Sequence, residues 1–223
     1  MRKTKALLQI YQKMFDALGP RHWWPGETPF EVIIGAILTQ NTNWSNVEKA
    51  IKNLKTAGKL SPEGIYELSV TELAELIRPS GFFNVKAKRV KAFINWLFSR
   101  YKGNLSKMFA QDLQALRGEL LSVKGIGPET ADSILLYAGD KSIFVVDAYT
   151  RRIFLRHGWI GEDFDYAAIQ EYCMEALPAD RVLFNEFHAL MVRVGKDYCR
   201  PRPRCETCPL KSFLPEGGIQ GGF

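Results

Sequence analysis

Apolar residues return at helical spacing along almost the whole chain. Leu7, Leu8, Tyr11, Met14, Phe15 and Leu18 predict an amphipathic helix that ends near Gly19-Pro20. The run "FEVIIGAILTQ" (30–40) is apolar on every side, which predicts a central buried helix with Gln40 at its far end. Ser45 is placed to cap the next helix, whose inward stripe is Val47, Ala50, Ile51 and Leu54. "SVTELAELI" starts a helix at Ser69 or Thr71 and stops before Pro79. From Val85 to Tyr101, Val90, Phe93, Ile94, Leu97 and Phe98 form one face. Lys86, Lys88, Arg89 and Lys91 crowd its first turns, where cations oppose the helix dipole. A solvated face explains that cluster more simply than phosphate contact does. Further helices are predicted over 111–121, 128–138, 147–156, 166–177 and 180–195. Only "SIFVV" (142–146) has strand character, and no partner run accompanies it. The Gly-rich tail "PEGGIQGGF" is expected to fray. The predicted fold class is all-α.

Bulk properties narrow the function without naming it. The 46% apolar and 24% charged fractions suit a globular protein, and a net charge of +6 with pI near 9.1 permits an anionic partner. No stretch approaches the roughly 18 apolar residues of a membrane span, and the basic N-terminus turns polar too early for a signal peptide. A soluble cytoplasmic protein is expected. Of the 4 cysteines, Cys199, Cys205 and Cys208 bunch in "DYCRPRPRCETCPL". That spacing points to metal rather than to disulfides in a reducing compartment. Cys173 sits on a packed helical face and is not expected to join them.

The stretch "LRGELLSVKGIGPETADSILLYA" reads as helix, tight turn, helix. Gly125 and Gly127 are expected to supply backbone angles closed to other residues and to let a ligand approach the peptide plane. Pro128 suits a first helical position. The second helix then aims its free N–H groups beyond the turn, where a phosphate with Lys124 beside it would be bound. A plain helix connection is the alternative, but the apolar residues that pack the two helices favour the specific reading. Asp147 opens the next helix, "DAYTRRIF", as a natural N-cap.

With these motifs in order, the sequence resembles the helix-hairpin-helix DNA glycosylases of the endonuclease III superfamily, near the subgroup that removes 3-methyladenine. The likeness rests on "VKGIGPETA", "VVDAYTRRIF", "ILTQNTNWSNVEKAI" and "NEFHALMVRVGKDYC" and covers most of the chain. It implies two helical lobes with DNA and a flipped base in the cleft between them: a six-helix middle lobe at 21–141, and 1–20 joined to 142–223. It makes Asp147 the catalytic carboxylate and Gln40 the residue that enters the base stack. Bifunctional members carry a lysine two residues after the second hairpin glycine, and here that position is Glu129, which cannot form an imine. Trp23, Trp24, Pro25 and Trp44 resemble a pocket whose electron-rich faces grip a cationic alkylated purine.

The implied partner is duplex DNA with a damaged base, and the implied state is a monomer. The resemblance also implies a 4Fe–4S cluster on four cysteines, but the last position falls near Leu214. A cluster, zinc and an empty loop all stay open. The expected activity is monofunctional release of alkylated purines, 3-methyladenine first. A glycosylase for damaged or mismatched pyrimidines and a non-catalytic DNA-binding hairpin are the alternatives.

Overall fold

The computed structural model describes residues 2–21, 23, 24 and 26–220. Regular structure among them is helical: α1 (Arg2–Leu18), α2 (Pro29–Leu38), α3 (Trp44–Thr56), α4 (Pro62–Glu67), α5 (Val70–Leu76), α6 (Phe83–Tyr101), α7 (Leu105–Phe109), α8 (Leu113–Ser122), α9 (Pro128–Ser133), α10 (Ala148–Arg156), α11 (Tyr166–Ala176) and α12 (Arg181–Asp197). A π-helical turn at Ile134–Ala138 continues α9. None of these helices is long and apolar enough to cross a membrane. "SIFVV" is not a strand. Ile143 to Val146 are buried without regular secondary structure or a pairing segment among the described residues.

Contacts divide the chain into two units, Trp24–Lys141 and the pair Met1–Trp23 with Ser142–Phe223. In the first, α2 is central. Every residue from Phe30 to Leu38 is buried, so the all-round apolar run becomes a core helix. Thr28 caps it by accepting the Glu31 N–H, and Pro29 takes the first position, where a missing N–H costs nothing. α5 starts at Ser69 with a reciprocal capping box to Glu72. The cap of α3 is Asn43 rather than Ser45. Asn43 Oδ1 accepts both the Asn46 N–H and the Ser45 hydroxyl, so the earlier of two competent caps ends the turn.

The basic cluster of α6 is a solvated face only in part: Lys88 is exposed, whereas Lys86 and Lys91 are not left to water. Lys86 is 1% exposed and donates to the Ser80 carbonyl at 2.6 Å. Burial, with Arg89 nearby, pulls its pKa down to about 8. Lys91 Nζ donates to the carbonyls of Ile65, Tyr66 and Leu68 and so satisfies the C-terminal end of α4. These cations are spent on carbonyl groups of the preceding turns, which offsets their poor placement relative to the α6 dipole.

In the second unit α10 and α12 pack together, with α1 against α12 and α11. The tail through Gln220 is docked rather than frayed, because the Gln220 N–H donates to the Arg156 carbonyl at 2.9 Å.

The helices of the hairpin are held by one buried ion pair within the first unit. Asp132 on α9 is 0% exposed and accepts from Arg117 on α8 through Nε at 2.7 Å and Nη2 at 3.1 Å. Arg117→Met removes both of these bonds from the buried carboxylate and is expected to lower unfolding stability by roughly 3 kcal/mol, read from urea denaturation.

Candidate active site

The hairpin turn runs from Val123 to Gly127. Gly125 takes φ +92°, a region that disfavours side chains, and a Cβ there would sit 2.4 Å from Arg89 Cγ. Gly127 differs from expectation. Its φ of −94° and ψ of 179° suit any residue, and a Cβ would meet nothing within 4 Å. Gly125 is therefore required by the backbone, whereas Gly127 leaves open space at the start of α9. Lys124 and Glu129 are exposed beside that opening, and Glu129 occupies the first turn of α9, as the dipole favours.

Gln40 lies in a turn beyond the C-cap of α2, not inside a buried helix. The adjacent Asn41 adopts φ +53°. The Gln40 amide N–H group donates to the Gly125 carbonyl at 3.1 Å and to the Thr130 hydroxyl at 2.9 Å. Arg89 Nη1 donates to Gln40 Oε1. In this structure Gln40 therefore ties the hairpin to α2 and α6.

An aromatic cluster adjoins the same helices. Trp24 and Trp44 meet edge to face, centroids 5.1 Å apart at 88°, and Tyr137 lies 5.2 Å from Trp24 at 38°. Gly35 of α2 forms the floor. A Cβ there would be 3.2 Å from Trp44 Cη2 and 3.4 Å from Trp24 Nε1. The Trp44 N–H donates to Glu48 Oε1 at 2.8 Å, which sets an exposed carboxylate at the edge of the cluster. Trp23 falls in the other unit, and Pro25 lies outside the described residues. Sequence reasoning missed Tyr137 because a π turn, not ideal helical phase, presents it. Gly35 could have been read as a site of close approach, being a lone glycine in an apolar helix. Phe82 was also missed. It is 70% exposed in a left-handed conformation (φ 47°) just before α6, an uncomfortable place for a large apolar side chain.

Asp147 stands in the second unit as the N-cap of α10, where Oδ1 accepts the Thr150 N–H at 2.7 Å. Its side chain keeps 10% of its exposure. Its Oδ2 lies 3.6 Å from Nε2 of His188, a residue of α12 that spacing alone left without a role. Burial pushes the Asp147 carboxyl toward protonation. The neighbouring His188 imidazole and the hydrogen bonds from Thr150 outweigh it, so the pKa sits below the ordinary aspartate value.

The cysteine loop is held by arginines of α10. Arg156 is 2% exposed and donates through Nη1 to the Arg200 carbonyl at 2.6 Å and to Cys199 Sγ at 3.4 Å. Arg152 donates to the carbonyls of Cys199 and Gly195. Cys199, Cys205 and Cys208 line a small cavity with His157 and Leu214. Burial, together with the other two cysteines, raises the Cys208 thiol pKa. The residues present do not fit a four-thiolate cluster. Leu214 stands at the fourth place, His157 Nδ1 is 3.2 Å from the Phe213 carbonyl, and no three Cys, His, Asp or Glu among the described residues converge to hold a metal ion. Arg200, Arg202 and Arg204 remain exposed on this loop.

Residues 34–179 match the HhH-GPD superfamily of base excision DNA repair proteins. A protein of Methanocaldococcus jannaschii named "Putative DNA repair glycosylase" is 47% identical over 213 residues, 95% of this chain and 96% of that one. Endonuclease III of Thermotoga maritima is 31% identical over 185 residues, 82% of this chain and 81% of that one. The crystal structure of the H. pylori 3-methyladenine DNA glycosylase bound to 1,N6-ethenoadenine is 31% identical, covers 86% of this chain and 95% of that one, and superposes with a TM-score of 0.70. The chain belongs to the HhH-GPD superfamily and is a DNA glycosylase of the endonuclease III kind.

The two hairpin glycines are expected to respond differently to a methyl group. Gly125→Ala should cost about 2 kcal/mol of stability through its positive φ and its collision with Arg89, whereas Gly127→Ala should lie within about 0.5 kcal/mol of wild type. Chemical denaturation of both variants checks this.

Proposed function

We propose that this glycosylase is monofunctional and hydrolyses the N-glycosidic bond of alkylated purines, 3-methyladenine first, in duplex DNA. The observation that carries the proposal is the Trp24–Trp44–Tyr137 cluster with Glu48 on its edge. Alkylation of a ring nitrogen leaves a purine cationic, and electron-rich aromatic faces next to a carboxylate favour a flat cation over a neutral base. The solved 3-methyladenine glycosylase of 31% identity supports the same lesion class.

The hairpin serves as the phosphate grip. The open space at Gly127, the N–H groups at the start of α9 and the cation of Lys124 suit one oxyanion. The target nucleotide must leave the stack before its sugar can be reached. Phe82, exposed and held in place by the turn before α6, is suited to fill the gap as an apolar wedge, with Gln40 joining it once released from the hairpin.

Asp147 acts on the sugar. As the C1′–N bond breaks, its electron pair moves to the base and quenches the ring charge, while C1′ gains oxocarbenium character. The ionised carboxylate stabilises that charge, orients the attacking water and takes its proton. The products are a free base and an abasic site on an intact strand. Glu129 stands where a Schiff-base lysine would be needed, so no imine forms on C1′ by that route.

Three outcomes are expected. Asp147→Asn should lower single-turnover release of 3-methyladenine from methylated duplex DNA by about a thousandfold, because the anion is lost while the cap survives. The wild-type rate should stay level as pH falls to the ordinary carboxylate range and decline only below it, since protonating Asp147 removes the charge and its pKa is lowered. Borohydride should trap no covalent enzyme–DNA adduct. Release of only thymine or uracil would move the substrate class to pyrimidines, and a trapped adduct would end the monofunctional reading.

A further inference from the structure

The Asp147 carboxylate uses only one oxygen as a helix cap. Oδ1 accepts the Thr150 N–H, and Oδ2 faces His188 on the neighbouring helix α12. His188 is itself 5% exposed and stands among Phe184, Phe187, Leu190 and Met191, where a leucine would complete the apolar stripe. An imidazole in such a place is costly unless a polar group answers it.

We infer that His188 is a positioning residue for Asp147, fixing the rotation of its carboxylate and keeping Oδ2 an anion for the sugar. This rests on the role given to Asp147 above.

Two consequences of the geometry support it. With Oδ1 bonded to the Thr150 N–H and the imidazole Nε2 3.6 Å from Oδ2, a swing of the carboxylate about its Cβ–Cγ bond is opposed on both sides, which biases the oxygen that meets the sugar before substrate arrives. Burial of the side chain would otherwise let the group take up a proton, and His188 heads the influences that oppose this.

Several other charged groups of the packed helices bond elsewhere. On α10, Arg151 donates to the Glu162 carbonyl, Arg152 to the carbonyls of Cys199 and Gly195, and Arg156 to the cysteine loop. On α12, Glu186 accepts the Arg21 N–H and Arg193 pairs with Asp197. On α1, Tyr11 rests against Phe187, its hydroxyl pKa raised by burial and by Glu186 and Asp180. The Tyr166 hydroxyl, on α11, lies 3.5 Å from the Val146 N–H.

The test is the pH profile of single-turnover 3-methyladenine release from methylated duplex DNA by wild type, His188→Leu, His188→Gln and Asp147→Asn. His188→Leu should be about tenfold slower near neutral pH, and its acid limb should move to higher pH as the carboxylate loses its opposing partner. His188→Gln places an amide N–H near the position of Nε2, so it should recover most of the rate and show a smaller upward shift of the limb. Affinity for the methylated duplex should stay within about twofold of wild type, because the effect lies on the chemical step. If both variants keep the wild-type limb, the inference is overturned whatever their rates. Should His188→Leu melt below the assay temperature, His188→Gln decides alone: a raised limb supports the inference and an unmoved one ends it. Asp147→Asn separates the two ideas. Full activity in that variant removes the role of Asp147 itself, whereas an inactive Asp147→Asn with unshifted His188 variants removes only the role of His188.

Discussion

A carboxylate that is to face a developing sugar cation must be kept out of water, yet must not pick up a proton there. Those demands conflict, because burial penalises the charged form. The protein meets them at Asp147 with local geometry: a helix N-terminus supplies one N–H to Oδ1, and a histidine from a packed neighbour faces Oδ2. Under the proposed role, capping and catalysis need the same thing, an ionised group fixed at the head of α10. The cap stabilises the helix with the charge that the proposed reaction uses.

Other parts of the proposed reaction also depend on tight backbone approach. Gly125 permits a turn that a Cβ would strain against Arg89, and Gly35 lets two indoles rest on the central helix of their unit. The bidentate Arg117–Asp132 pair locks the helices on either side of the turn. Arginines of α10 brace the cysteine loop through carbonyl groups and one sulfur, so the loop has an ordered frame built from protein groups. Within the proposal these elements place donors and ring faces, and the leaving group supplies most of its own reactivity by being cationic.

Much of this could be read from the chain alone, and the exceptions share a cause. Helices with a clear apolar stripe, the Ser69 cap and the Asp147 cap are local, set by residues within one or two turns of each other. The family was legible for the same reason, since its motifs are contiguous. Asn43 displaced Ser45 because two good caps lie two residues apart and sequence gives no ranking of their geometry. The cations of α6 looked solvated until the carbonyls of α4 and of the Ser80 turn came within reach. Tyr137 and Phe82 could not be picked out at all, and His188 could be given no role. A π turn, a strained backbone and a partner 41 positions away (147 to 188) assign them, and none of these leaves a periodic signature. Gln40 shows the same limit, since its hairpin bonds span 85 and 90 residues.

The central claim is that Asp147 is an anion in a nearly dry place, and its ionisation can be watched directly. A titration of the aspartate side-chain carboxyl carbons by NMR, with Asp147 assigned by difference against Asp147→Asn, measures it in the resting protein. The account predicts a midpoint below that of an ordinary aspartate. A midpoint at or above the ordinary value would mean that burial prevails, and would contradict it.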